Sequence, residues 1–320
     1  MLSQSCDIFD FYHASEVLHE DDYADFLVIV QDSFRLEDGL MAVSGLTLSL
    51  LEGQWSDDRF MLLLKAYWLG LDNMVRERML VGLILILMKY NTIIREKVDI
   101  WEPIQEILSD DYELSFTALC NIARTAQIKH LEHFNQQMAK DIMPLMNQLG
   151  SDEFYDVIRK HQGEMERIAR LHLDQNFLIF KTAYQSPFFQ ERAAHWLKPW
   201  DKDQLLNVDE EERDALQGMM DVWPLCDSDK YALMGMSKML RDTLRGQLQA
   251  DMLQHMGEAL GDTAHIITNG YVQQLYRYFR LSSFSRGALF DLIPYLRDTW
   301  VYRILVVGEN AKQTISDLIQ

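Results

Sequence analysis

Nine residues from Val43 to Leu51 (VSGLTLSLL) return 37 positions later as Leu80 to Met88 (LVGLILILM), with the glycine and three leucines in register. Stacked helix pairs produce a recurrence of this period, because each pair leaves an apolar flank that the next must cover. The alternation of Leu46, Leu48 and Leu50 with Thr47 and Ser49 also fits a half-buried strand. Helix is preferred, since charged segments flank both runs and the second run is apolar on all sides. Ser56-Asp57-Asp58 marks the start of the intervening helix.

Helical stripes continue downstream. Leu131, Phe134, Met138, Ile142, Leu145 and Leu149 step by three or four, with Pro144 predicting a kink or break near Asp141 to Met143. Gly150-Ser151-Asp152 closes that helix and opens another, expected over Asp152 to Tyr184 with an interruption at Gly163. Met236, Leu240, Leu244, Leu248 and Met252 form a further stripe within a methionine-rich stretch. The pattern predicts an all-α chain, an α-solenoid-like stack of helix pairs of the HEAT or tetratricopeptide (TPR) kind. Three parts are expected: an acidic amphipathic N-terminal segment (1–38), HEAT-like repeats (39–150) and a continuous second helical segment (151–320).

Charge changes the picture of partners. Lys and Arg number 30 against 49 Asp and Glu, a net charge of −19, which opposes a general nucleic-acid binder. In the first 38 residues ten carboxylates face only Arg35, interleaved with apolar residues that predict two short helices, one ending near Leu18 and one over Asp22 to Phe34. This acidic segment is also a candidate for docking a basic neighbour. Cys6, Cys120 and Cys226 are too far apart for a disulfide framework or metal knuckle, which suits a reducing, cytoplasmic location. Residues 1–11 lack the pattern of a signal peptide. The apolar run Met79 to Met88 has ten residues, half of what a membrane span needs, and reads as a buried core helix.

Three stretches are distinctive: Ser186-Pro187-Phe188-Phe189-Gln190-Glu191 followed by His195-Trp196-Leu197-Lys198-Pro199-Trp200, then Pro224 to Leu233 (PLCDSDKYAL), then Tyr271 to Arg280 (YVQQLYRYFR). In the first, Ser186 and Pro187 predict a helix start that puts Phe189, Ala193 and Trp196 on one face, and Asp201 with Gln204 predicts the next start. Taken in order with the Gly45 and Gly82 runs, they resemble the helical N-terminal region of tetratricopeptide-repeat proteins of Bacteroidetes-type bacteria, over roughly Leu40 to Arg280. The resemblance implies an intracellular all-helical protein with a repeat array after this region, and it implies no catalytic residue. The 34-residue tetratricopeptide pattern is absent after Arg280, so this is either a truncated relative or one whose array lies beyond Gln320.

Motifs for catalysis are few. Phosphate-binding glycine loops, Gly-x-Ser-x-Gly and His-Glu-x-x-His are absent. His130 and His133 flank Glu132, with His161 the nearest third candidate, but a metal site needs more than this pair, and none is assigned. Glu164 and Glu166 point to different helix faces, and the acidic run Asp209 to Glu212 suits a helix N-terminus. Arg277 and Arg280 among aromatics could hold single strands, but Leu275, Tyr278 and Phe279 form one apolar face with the arginines elsewhere. The leading expectation is a non-enzymatic scaffold that binds a basic or helical protein partner, without cofactor, nucleic acid or membrane. Its candidate anchors are Phe188, Phe189, Trp196 and Trp200, since Phe and Trp anchor interfaces, although aromatics at this spacing are ordinarily core. The alternative is a hydrolase whose site lies between helices and uses His130, His133 and a carboxylate.

Overall fold

The described residues of the computed structural model are 4–142, 144, 152–174, 176–201, 203, 213, 217, 220, 225–235 and 263–319. Among them are sixteen α-helices, short 3-10 turns and no strand. Helices α1 (Gln4–Ala14), α2 (Glu20–Gln31), α3 (Leu36–Glu52), α4 (Asp57–Leu69), α5 (Asn73–Lys89) and α6 (Asn91–Arg95) come first. They are followed by α7 (Trp101–Asp110), α8 (Tyr112–Arg124), α9 (Ile128–Ile142), α10 (Asp152–Arg170), α11 (Phe177–Ala183) and α12 (Pro187–Glu191). The remainder are α13 (Asp227–Gly235), α14 (Thr263–Leu281), α15 (Trp300–Leu305) and α16 (Glu309–Ile319).

The two copies of the recurrence lie side by side. Arg78 on α5 reaches Ser44 on α3, Gly82 meets Thr47 midway, and the Lys89 ammonium reaches the Leu50 and Leu51 carbonyls at the far end. The helices therefore run parallel, with α4 as the return. α2 packs on α3 and α4, α4 on α5 and α7, and α5 lies between α3 and α8. The outcome is an outer row α2, α4, α7 and an inner row α3, α5, α8. In both α3 and α5 the leucines alternate around a helix rather than along a strand, and the run Met79–Met88 is buried throughout.

A third layer covers the inner row. α1 crosses α3, α14 packs on α5 and α8, and the 3-10 segment Leu289–Asp298 and α15 also lean on α5. Gly45 makes the first crossing possible: a Cβ there would sit 2.5 Å from the Phe9 carbonyl oxygen. Stacked repeats contact only their neighbours in sequence. Here the chain also returns on itself: Arg78 donates to the Leu197 carbonyl at 3.0 Å, the Tyr112 hydroxyl to Leu305 at 2.7 Å, and the Gln127 amide to Leu318 at 2.9 Å. The extended stack predicted from the pattern did not include this covering layer.

Several boundaries differ from expectation for local reasons. α1 ends at Ala14 rather than near Leu18, and α2 covers Glu20–Gln31. The predicted helix 152–184 breaks at 171–174 and not at Gly163, which has open space around it. At the break His172 takes a left-handed φ of 50° and Asp174 turns inward to Arg277. The helix expected through Phe189, Ala193 and Trp196 is interrupted at Arg192, which is extended (φ −146°, ψ 144°) and carries its guanidinium to Asp7 and Asp10 of α1. The acidic N-terminal segment is thereby partly neutralised within the chain, and its Cys6, Phe9 and Tyr12 are buried. α9 stops at Ile142, just before Pro144, as the proline predicts. The Met236–Met252 stripe, the run Asp209–Glu212, Gln204, Pro224 and the Gly150-Ser151 cap lie outside the described residues.

Candidate functional site

The three distinctive stretches converge, and a buried arginine joins two of them. Arg277 projects from α14 with none of its side chain exposed. Its Nη2 donates to both oxygens of Asp174 at 2.9 and 2.8 Å, and its Nη1 donates to Asp229 Oδ1 at 2.6 Å, Cys226 Sγ at 2.8 Å and Ser228 Oγ at 3.1 Å. Its guanidinium carbon lies over the Phe180 ring, 4.6 Å from the centroid. The Cys226 amide and thiol both donate to Asp229 Oδ2 at 3.2 Å. Three segments meet on one guanidinium: the α10–α11 junction, the start of α13, and α14.

The electrostatics follow from burial. Burial opposes the Arg277 charge, but Asp174 and Asp229 outweigh it and hold the guanidinium protonated. Burial pushes the Asp174 carboxyl up, only partly offset by Arg277, because two carboxylates share one cation. Burial likewise pushes the Cys226 thiol well up, so at neutral pH it is a protonated donor and a poor nucleophile. The arrangement clamps chain segments together, with Arg277 fully buried and its partners nearly so.

A second buried arginine prepares the neighbouring contact. Arg78 donates to Ser44 Oγ at 2.9 Å and to the Leu197 carbonyl at 3.0 Å, stands 3.8 Å from Asp227, and lies 4.7 Å from the Tyr271 ring centroid. It ties the inner row to the first and second distinctive stretches.

Two of the four aromatic candidates are buried in this packing and two stand at its margin. Phe189 and Trp196 are completely buried, and the Trp196 indole donates to the Phe189 carbonyl at 2.8 Å, so neither is available as a surface anchor. Phe188 is half-buried and stacked between His195 (4.3 Å) and Tyr231 (4.4 Å). Trp200 lies edge-on to Tyr231 at 4.9 Å, while the Tyr231 hydroxyl donates to the Pro199 carbonyl at 2.9 Å. Phe189 and Trp196 are thus core residues, while Phe188 and Trp200 lie partly exposed at its margin.

The histidines lie elsewhere. His130 faces Glu164 at 2.7 Å, an oxygen that Arg167 also engages at 3.0 Å, and His133 pairs with Gln137 at 2.8 Å. His161 instead meets Asp141 at 2.9 Å, so the three imidazoles do not converge. Among the described residues no three His, Cys, Asp or Glu are grouped to hold a metal ion. All three cysteines are free and buried, with burial pushing Cys120 up to about 11. No described helix is long and apolar enough to cross a membrane.

The sequence pattern singles out neither Arg78 nor Asp174, and it offers Arg277 only in another role. It set the arginines of α14 away from the apolar face, yet Tyr271 to Phe279 are all buried and Arg277 lies among them. The available signal was an arginine within an aromatic run and, elsewhere, the close pair Asp227 and Asp229 around Ser228. No family model, curated protein or solved structure matches the chain.

Proposed function

We propose that the chain is a non-enzymatic helical-repeat scaffold that mediates protein–protein interaction. The observation that carries this reading is the pairing of α2 with α3, α4 with α5 and α7 with α8, with the 37-residue recurrence laid along parallel α3 and α5. A short HEAT-like array of this kind presents regularly spaced helix ends and turns, a surface suited to extended partners. Its inner face is taken by α1 and α14, so the partner surface lies on the outer row and its edges. The resemblance to tetratricopeptide-repeat proteins and a cytoplasmic setting belong to the same proposal. The acidic balance of the chain favours a basic or helical partner.

Affinity capture with the full chain from native lysate, followed by mass spectrometry and reconstitution from purified components, tests it. A reproducible partner that reconstitutes at defined stoichiometry is expected. Capture of nothing, or turnover of a hydrolase substrate that is lost in His130→Ala, overturns it.

A further inference from the structure

Three successive turns join an outer helix to its inner partner at one end of the array, and each carries an aspartate cap. Asp32, Asp72 and Asp111 accept the backbone N–H of Phe34, Met74 and Leu114 at 3.0, 2.8 and 3.0 Å, capping the turn before α3, then α5 and α8. Near the first two caps stand apolar residues left in water, Phe34, fully exposed, and Leu71, 75% exposed; the third is flanked by Tyr112, which is 42% exposed and whose hydroxyl is held by the Leu305 carbonyl. The turns are neighbours. A Cβ on Gly39 of α3 would lie 3.5 Å from Val75 of α5, and Arg76 of α5 pairs with Asp110 at the end of α7 at 2.8 Å. Exposed Val28, Trp68 and Leu69 on the last turns of α2 and α4 extend the same apolar edge.

The spacing and charge of this edge define what fits it. Packed helices lie about 8–10 Å apart, which sets the scale of the step from one turn to the next. Seven residues of α-helix rise about 10.5 Å, the same step, so apolar side chains one heptad apart can meet all three turns. Outer helices end and inner helices begin at this edge, so their macrodipoles oppose and cancel. The carboxylates of Asp32, Asp72, Asp111 and Glu113 therefore set the sign, because Arg35 and Arg76 are taken by Asp38 and Asp110. An exposed apolar line rimmed by carboxylates is complementary to a helix with apolar heptad positions flanked by Lys and Arg.

We infer that this edge is the docking surface for a basic amphipathic helix of a partner protein, an inference that rests on the scaffold reading and names its partner class. Phe34 and Leu71 are the anchors. The three cap carboxylates select the sign of the partner and speed its encounter.

The test uses the full chain and three labelled peptides of about three heptads each, followed by fluorescence anisotropy. One peptide carries Leu at every seventh position among Lys and Arg, one carries the same Leu among Glu, and one is the basic peptide with Leu replaced by Ser. Only the first is expected to bind. Phe34→Ser with Leu71→Ser weakens it at least tenfold, with an unchanged melting temperature since both side chains face water. Asp32→Asn, Asp72→Asn and Asp111→Asn together keep the caps, since Asn caps as well as Asp, and reduce both affinity and its salt dependence. Failure of the basic peptide to bind, equal binding of the acidic one, or tight binding by the double variant overturns the inference. A lysate partner that the double variant still holds overturns this edge while leaving the scaffold reading standing.

Discussion

At Arg78 and Arg277 the charges are buried and multiply bonded, whereas between α9 and α10 they stand at the rim of a small core and face water. Arg78 and Arg277 are enclosed by α3, α5 and α14 or by the segments those helices touch. The α9–α10 pair has its own cluster of Leu131, Phe134, Ile168 and Leu173, and its cross-links are His130–Glu164, His161–Asp141 and Lys160–Asp141. At the base Arg167 donates to Gln127 at 2.9 Å, and Gln127 in turn reaches the Leu318 carbonyl. The difference lies in what each charge does when its partner is removed. A buried charge left alone retains its full desolvation cost, while an exposed one is taken over by water. The first region is thus expected to unfold as one unit and the second to open locally.

The largest break in that contrast comes from Arg277→Met. It leaves Asp174 and Asp229 buried without a cation, and a loss of about 3–5 kcal/mol is expected in urea unfolding. Adding Asp174→Asn and Asp229→Asn recovers part of that loss, since no uncompensated charge remains. Glu164→Gln in the α9–α10 pair, where the partners are partly exposed, costs less than about 1 kcal/mol. Equal losses for Arg277→Met and Glu164→Gln would erase the distinction between the regions.

One substitution made in both regions sharpens it further by reversing sign. Gly45→Ala drives a methyl group into the Phe9 main chain and forces α1 off α3, a strain of about 1–3 kcal/mol that exceeds the gain in helix propensity. Gly163→Ala meets nothing within 4 Å in the middle of α10 and stabilises by roughly 0.5–1 kcal/mol. Thermal melts of the two single variants read the sign directly.

The same contrast explains what could be read from the chain beforehand. Gly45, Gly82 and the leucines around them were legible because packing of parallel helices imposes a period on sequence. Pro144 was legible because its effect is local. The break at 171–174 was not, since Asp174 leaves the helix for an arginine more than a hundred residues away. The same holds for Arg192, whose extended backbone serves Asp7 and Asp10 on α1. Phe189 and Trp196 have the composition of an interface and of a core alike, and only the covering layer of α14 and α1 decides between them. Exposed Phe34 and Leu71 were not legible because they lie between the α-helices, where apolar periodicity carries no signal.

Acid offers the mildest way to separate the two regions, and its sign follows from the carboxylates. In Asp141 the Lys160 ammonium, then His161, holds the carboxyl below its usual range; in Glu164 burial acts upward but hydrogen bonds from His130 and Arg167 prevail and lower it. A carboxyl depressed in the folded chain contributes stability at neutral pH and loses it as the pH falls through the folded value, beneath the ordinary carboxylate range. Asp174 has the opposite displacement, so the folded state binds its proton more readily than the unfolded one, and acid withdraws no stability through that group. Lowering the pH from 7 should therefore speed amide hydrogen exchange in α9 and α10, after correction for intrinsic rates, before it does so in α13 and α14. Asp141→Asn and Glu164→Gln together should open α9–α10 slightly at every pH and remove the acid dependence of its exchange. Earlier exchange in α13 and α14 would mean that the Arg277 clamp, rather than the exposed pairs, is the acid-sensitive element.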